Sequence, residues 1–260
     1  MNRLAIFNCK GGVGKTTSVL NLAAAASRSA RQVMVLDLDP QAHLTRIWTE
    51  VPRDSANSLF GFFQEARDLK SLVQEWPGIG TIVPAHGQLI KVDTIFGKGP
   101  AALNKLRIGY ETLLAQQAAN AGAARRISLI DCCPYTGVLS LNALFAADAV
   151  LVPVSTDYLS LDAATQIAVM LGALETVLKR RLPRRYVLTR FDRRRKMSFD
   201  VQEKLLQRFG DDVCKTVIYE NVAVAESPAR KMDVFAHSPA SAGAQDYLAL
   251  YGELCAAGLL

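Results

Sequence analysis

The stretch Lys10-Gly11-Gly12-Val13-Gly14-Lys15-Thr16-Thr17 decides the fold. Backbone N–H groups can converge on a phosphate only where the chain tolerates unusual dihedrals, and glycine supplies that tolerance. A helix beginning immediately afterwards aims its positive dipole end at the same anion. The flanking residues fit both requirements. Arg3 to Asn8 is a short apolar run that reads as a strand, and Thr16 to Ser29 carries Ala and Leu at helical spacing. In such a loop Lys15 neutralises the β and γ phosphates, and the Thr16 hydroxyl is placed to ligate Mg²⁺. Gly11, Gly12, Val13, Gly14 and Thr17 complete the cradle. The general pattern GxxxxGK[ST] is not met, because Cys9 stands at its first glycine. The form that fits is KGGxGK[ST], which carries an additional lysine, Lys10.

Working outward, Val33-Met34-Val35-Leu36 is a second apolar run, continuous and partly β-branched, that ends at Asp37. Continuous apolarity predicts a strand covered on both faces. The pattern recurs at Ile127-Ser128-Leu129-Ile130, Ala149 to Val154, Tyr186 to Thr189 and Val213 to Ile218. Helical stretches lie between most of these, at Ser160 to Lys179, Phe199 to Phe209 and Ser241 to Cys255. Strands alternating with helices predict an α/β fold, a mainly parallel sheet flanked by helices on both faces. In residues 50–125 the spacing predicts helices over Leu59 to Trp76 and Ala101 to Ala119, and a strand over Gly80 to Pro84. No linker or fixed-period repeat divides the chain, so residues 1–260 read as one domain.

Composition narrows the class further. Half of the 260 residues are hydrophobic and 21% are charged, which is enough to build a core and unlike a disordered chain. The apolar run from Ala143 to Val154 is broken by Asp148 and Pro153 and is too short to span a bilayer. The few residues before the glycine-rich loop leave no room for a signal peptide, so a cytoplasmic protein is expected. Five cysteines without CxxC spacing suggest neither a disulfide framework nor a zinc site. The net charge of +6 is concentrated: Lys179 to Lys196 holds ten basic residues and one acid, while the rest of the chain holds 20 and 23. A basic patch on a slightly acidic body is what binding to a phosphate backbone requires.

The lysine-bearing loop resembles that of the ParA/MinD family of P-loop ATPases, and further matches extend the likeness over nearly the whole chain except residues 50–78. Asp37-Leu38-Asp39-Pro40-Gln41 is similar to the family's DxDPQ, although Ala42 and His43 replace its usual Gly-Asn. Asp131-Cys132-Cys133-Pro134 resembles its metal-side acid followed by Cys-Pro-Pro. The Asp148 to Val154 run, Tyr158 with Leu161, Val187-Leu188-Thr189-Arg190-Phe191-Asp192, and Lys215 to Ile218 with Asn221, Glu226 and Pro228 look like its later strands and connections. The resemblance implies ATP and Mg²⁺ as cofactors. It gives Lys10 a role in trans, reaching across a dimer interface to the partner's nucleotide. It makes Asp39 the acid that positions the attacking water beside the metal, and Asp131 the acid that holds Mg²⁺ with Thr16. Thr189, Arg190 and Asn221 fall where relatives contact the adenine.

The likeness also sets expectations about partners. Arg193-Arg194-Arg195-Lys196 coincides with a loop where ParA relatives carry DNA-binding arginines, implying nonspecific DNA binding by an ATP-bound homodimer on the nucleoid. Where relatives often read Pro-Arg-Asn-Val-Arg, this chain has Tyr219-Glu220-Asn221-Val222-Ala223, which removes two arginines; Arg230 and Lys231 are candidates to replace them. A ParB-like or cargo adaptor would stimulate hydrolysis and set which cargo is positioned. A MinD-like membrane ATPase would need a basic amphipathic C-terminal helix, and no lysine or arginine follows Lys231. A small-molecule enzyme on the same fold would have no use for Lys10 or the arginine run.

Overall fold

The computed structural model describes residues 1–95, 99–118 and 126–260. Eight strands form one sheet: β1 (Asn2–Ile6), β2 (Gln32–Asp37), β3 (Gln74–Trp76), β4 (Gly80–Val83), β5 (Arg126–Asp131), β6 (Ala149–Ser155), β7 (Arg184–Phe191) and β8 (Val213–Tyr219). Their spatial order is β3-β4-β2-β5-β1-β6-β7-β8. Neighbours are parallel throughout, except that β3 runs antiparallel to β4.

The apolar runs of the sequence become strands because both sides of the sheet are covered. Leu4 and Ile6 face one core while Ala5 and Phe7 face the other, and Ile127 and Leu129 oppose Ile130 in the same way; all are at most 1% exposed. Among the described residues six helices have nine residues or more: α1 (Lys15–Arg28), α2 (Lys105–Ala118), α3 (Val138–Ala146), α4 (Tyr158–Leu178), α5 (Lys196–Phe209) and α6 (Ala242–Ala256). Val19 and Leu22 of α1 and Tyr247 and Leu250 of α6 close one face. Tyr110 of α2, Leu144 of α3, Ile167 of α4 and Val201 of α5 close the other. By length and composition α4 is apolar enough to cross a membrane. It is instead the crossover between the paired parallel strands β6 and β7, which ties it to the sheet.

Residues 59–76 depart from the single predicted helix. The chain forms a helix only over Leu59–Gln64, passes Ala66 in a left-handed conformation (φ 53°), makes a short turn of helix over Leu69–Leu72 and then enters β3. Trp76 pairs with Gly80 across the β3–β4 ladder and stacks on Trp48 with ring centroids 5.9 Å apart. The β3–β4 hairpin and the contact with Trp48, both reaching outside the segment, override its helical spacing. The predicted helix over Ala101 to Ala119 divides into Pro100–Leu103 and α2, with Ala119 outside the described residues.

One consequence of the topology positions the site. Because β1, β2, β5, β6, β7 and β8 are parallel, their carboxyl ends share one edge of the sheet. The Lys10 loop, Asp39, Asp131, Asp157, Arg190 and Asn221 all lie at those ends, where open α/β sheets bind ligands.

Candidate nucleotide site

The phosphate loop is fixed from below. Asn8 is fully buried, donates from Nδ2 to the Pro153 carbonyl at 2.7 Å and accepts the Lys10 N–H on Oδ1 at 2.9 Å. Gly12 and Gly14 adopt φ of 76° and 86°, which side-chain-bearing residues rarely do. Gly14 is the N-cap of α1 and no side chain caps the helix, so an anion is the natural partner of its first N–H groups. Val13 lies behind the loop, fully buried, and its carbonyl accepts the Thr189 hydroxyl at 2.9 Å. Lys15 is 7% exposed and its Nζ donates to the Lys10 carbonyl at 2.8 Å. Burial lowers the Lys15 pKa, with Asp131 the leading carboxylate acting against it. A buried ammonium held by a neutral carbonyl gains when a phosphate replaces that partner.

Asp37 and Asp131 are register partners on adjacent strands and play different parts. Asp37 is fully buried and accepts the Asp39 N–H at 3.1 Å, the Thr45 N–H at 2.9 Å and the Thr45 hydroxyl at 2.7 Å. Burial pushes its pKa up to about 6, above the usual carboxylate range despite the Thr45 bonds. It ties the turn that carries Asp39 to the helix His43–Trp48. Asp131 accepts the Thr16 hydroxyl on Oδ2 at 2.7 Å, whereas its buried Oδ1 has no partner. Burial, then the nearby Asp37 charge, raises the Asp131 pKa. An unpartnered buried carboxylate oxygen beside a threonine hydroxyl suits a hard divalent cation such as Mg²⁺. Among the described residues no group of three His, Cys, Asp or Glu side chains could hold a metal alone. The pair therefore fits an ion that draws its remaining ligands from phosphate oxygens and water. Asp39 is 7% exposed, accepts the Gln41 N–H on Oδ1 at 2.9 Å and faces the same space.

Gly11, Gly12, Gly14, Lys15, Thr16, Thr17 and Asp39 line one cavity of about 480 Å³ together with Thr189, Arg190 and Asn221. Arg190 has a left-handed backbone (φ 53°), approaches the Gly12 carbonyl at 3.4 Å and stands 3.7 Å from Glu220. The Asn221 side chain caps the short helix Val222–Glu226 by accepting the Val224 N–H at 3.3 Å.

Lys10 does not line this cavity and is held within its own chain. Its ammonium donates to Asp157 Oδ1 and to Ser160 Oγ, the latter at 3.0 Å. Asp157 is the N-cap of α4 and also accepts the Ser155 hydroxyl at 2.7 Å and the Ser160 N–H at 3.1 Å. Burial pushes the Asp157 carboxyl up, but the bond from Lys10, with those from Ser155 and Ser160, outweighs it and holds the pKa at about 2. Sequence reasoning missed Asp157. An Asp opening a helix announces a cap, but nothing local announces a cation 147 positions earlier.

The arginine run also has internal partners. Arg193 stacks on Tyr219 with its guanidinium carbon 4.0 Å from the ring centroid. Arg194 donates twice to Asp192 at 2.9 Å, and Arg195 approaches the same carboxylate at 3.3 Å. The Arg194 side-chain bond, ahead of its backbone bond, holds the Asp192 pKa at about 2. The Arg194 and Arg195 side chains are nevertheless 86% and 69% exposed. Lys196 begins α5. Arg230 lies 3.9 Å from Glu226, and Lys231 is a left-handed cap residue (φ 56°). Tyr219, Glu220 and Asn221 line both the nucleotide cavity and the cleft beside Arg193 and Arg194, so the two share a wall.

Comparison with known proteins identifies the family. Residues 1–183 match the family described as an AAA domain. The chromosome partitioning protein ParA of Caulobacter vibrioides is 34% identical over 254 residues, covering 96% of this chain and 92% of that protein. The chromosome-partitioning ATPase Soj of Thermus thermophilus is 34% identical over 263 residues, covering 98% and 96%. The ATP complex of a McdA variant from Cyanothece superposes with a TM-score of 0.82 over 98% of this chain and 96% of that one, at 17% identity. With the lysine-bearing phosphate loop and near full-length identity above 30%, the chain belongs to the ParA/Soj family of P-loop partitioning ATPases.

Proposed function

We propose that residues 1–260 act as one ATPase domain that binds ATP with Mg²⁺ and pairs with a second copy around two nucleotides. The dimer then binds DNA without sequence preference. Lys15, Thr16 and Asp131 hold the triphosphate and metal within one subunit, while Thr189, Arg190 and Asn221 face the nucleoside. Mg²⁺ held by Thr16 and Asp131 would screen the charge developing on the phosphates. Asp39 orients the water that attacks the terminal phosphate. Lys10 supplies a second cation to the partner's nucleotide, so hydrolysis depends on assembly.

The observation that carries this reading is the pairing of Lys10 with Asp157. Lys15 alone serves the chain's own loop, and Lys10 stands beside it on a partly exposed ion pair, with side chains 29% and 39% accessible. Exposed pairs of this type contribute roughly 0–1 kcal/mol and are readily exchanged for a stronger anion such as a triphosphate.

Dimerisation brings two Arg193–Lys196 loops onto one assembly and raises a weak phosphate affinity through effective concentration. A ParB-like or cargo adaptor stimulates hydrolysis and releases the complex, placing the protein on the nucleoid within the cytoplasm. Replacing Arg193, Arg194 and Arg195 together by Ala tests the DNA surface. ATP-dependent retention on DNA should vanish while dimerisation persists, and unchanged retention would place the surface elsewhere.

A further inference from the structure

The loop that leads from Asp131 to α3 is tethered at both ends and in the middle. At its start Asp131 accepts the Thr16 hydroxyl. In the middle Pro134 contributes to the nucleotide cavity, and Thr136 Oγ1 lies 3.3 Å from the sulfur of Cys9, the residue standing at the first glycine of the general phosphate loop. At its end the Val138 N–H, the first of α3, donates to Asp93 Oδ1.

Asp93 comes from the helix Val92–Ile95, in the part of the chain between β4 and β5 to which the sequence assigns no role. Ser140 already caps the Gly137 N–H at 2.9 Å, so Asp93 is a second, long-range anchor on the same helix terminus. A carboxylate is favoured there by the helix dipole. Gly137 makes room for it. Its backbone is extended (φ −146°) and demands no glycine, but a methyl group at Gly137 would overlap the Asp93 carboxylate.

We propose that Asp93 is a positioning residue for ATP hydrolysis, holding the Asp131–Gly137 loop so that Asp131 and Pro134 keep their places at the metal and terminal-phosphate end of the cavity. This rests on the ATPase reading of the site. Releasing the Val138 anchor lets the loop shift, and misplacement of a metal-side group by an ångström is costly for the reaction. Lys15 and the glycine backbone are not part of this tether, so nucleotide affinity in the absence of Mg²⁺ is preserved when it is lost.

Asp93→Ala should lower kcat and raise the Mg²⁺ concentration for half-maximal activity, each by about tenfold, with Mg²⁺-free ATP affinity unchanged. Asp93→Asn retains an oxygen acceptor for Val138 and should restore most of the rate. Gly137→Ala should copy Asp93→Ala by expelling the carboxylate, and the double variant should be no worse than either single one. A lowered Tm with unaltered kcat and Mg²⁺ dependence would assign Asp93 a purely structural role and overturn the proposal. Additive losses in the double variant would overturn it too. Absence of hydrolysis by the unaltered protein would overturn the ATPase reading itself, and this inference with it.

Discussion

The phosphate loop and the arginine loop are both cationic, yet they are built in opposite ways. Lys15 is 7% exposed and is drawn to two carboxylates, Asp131 at the end of β5 and Asp39 just beyond β2. Arg194 is 86% exposed and answers to one acid two residues away. The first arrangement is screened little by salt and tolerates little displacement; the second is screened strongly and tolerates much. The proposed chemistry therefore suits the buried corner, and the proposed reversible association with a polyanion suits the exposed loop.

The largest expected effect lies in the buried corner. Lys15→Ala removes the one buried cation among its carboxylates, and nucleotide affinity should fall by about 3 kcal/mol or more, over 100-fold. Titration calorimetry would show it, and ordinary ATP binding by this variant would break the contrast at its root. Asp39→Ala should leave ATP bound but slow hydrolysis by about 100-fold or more, the range associated with losing a group that handles the attacking water. Rapid turnover of the variant would remove Asp39 from that role.

The smallest effect sharpens the comparison from between the two regions, at the half-exposed pair of Lys10 and Asp157. The Asp157 pKa is depressed to about 2. Its contribution to stability is therefore present above the unfolded-state value near 4 and is lost as pH falls through 2. Asp157→Asn should cost about 1 kcal/mol or less at neutral pH and flatten the stability profile between roughly pH 4 and 2. It should also release Lys10, so that dimers form at lower protein concentration. A denaturant midpoint and a dimerisation constant measured side by side would check both, and a dimerisation constant equal to that of the unaltered protein would show that the pair restrains nothing.

The two halves of the fold were unequally legible in the sequence. Runs such as Val33 to Leu36 and Ile127 to Ile130 declare their strands because a sheet buried on both faces needs apolar residues at every position. Residues 59–76 could not be read in this way. Their apolar spacing suits a helix, while Trp76 is committed to β3 by a hairpin ladder to residues beyond the segment and by a distant aromatic partner at Trp48. At the site, the glycine loop, Thr16 and the acids ending β2 and β5 were legible because the chemistry demands those residue types at those places. Asp157, Asp93 and Glu220 were not. Each acts on a group brought near only by the folded sheet, and an isolated acid in sequence reads as a cap or a solvated charge. The arginine run was visible as charge, but its capture by Asp192 and Tyr219 was not.

The central claim is that ATP joins two chains through Lys10. The most direct test is the solution mass of Asp39→Ala with ATP and Mg²⁺, measured with and without a second substitution, Lys10→Ala. The account predicts twice the 28.3 kDa chain mass for Asp39→Ala and a single chain for the double variant. A single chain in both, with ATP bound, would contradict it.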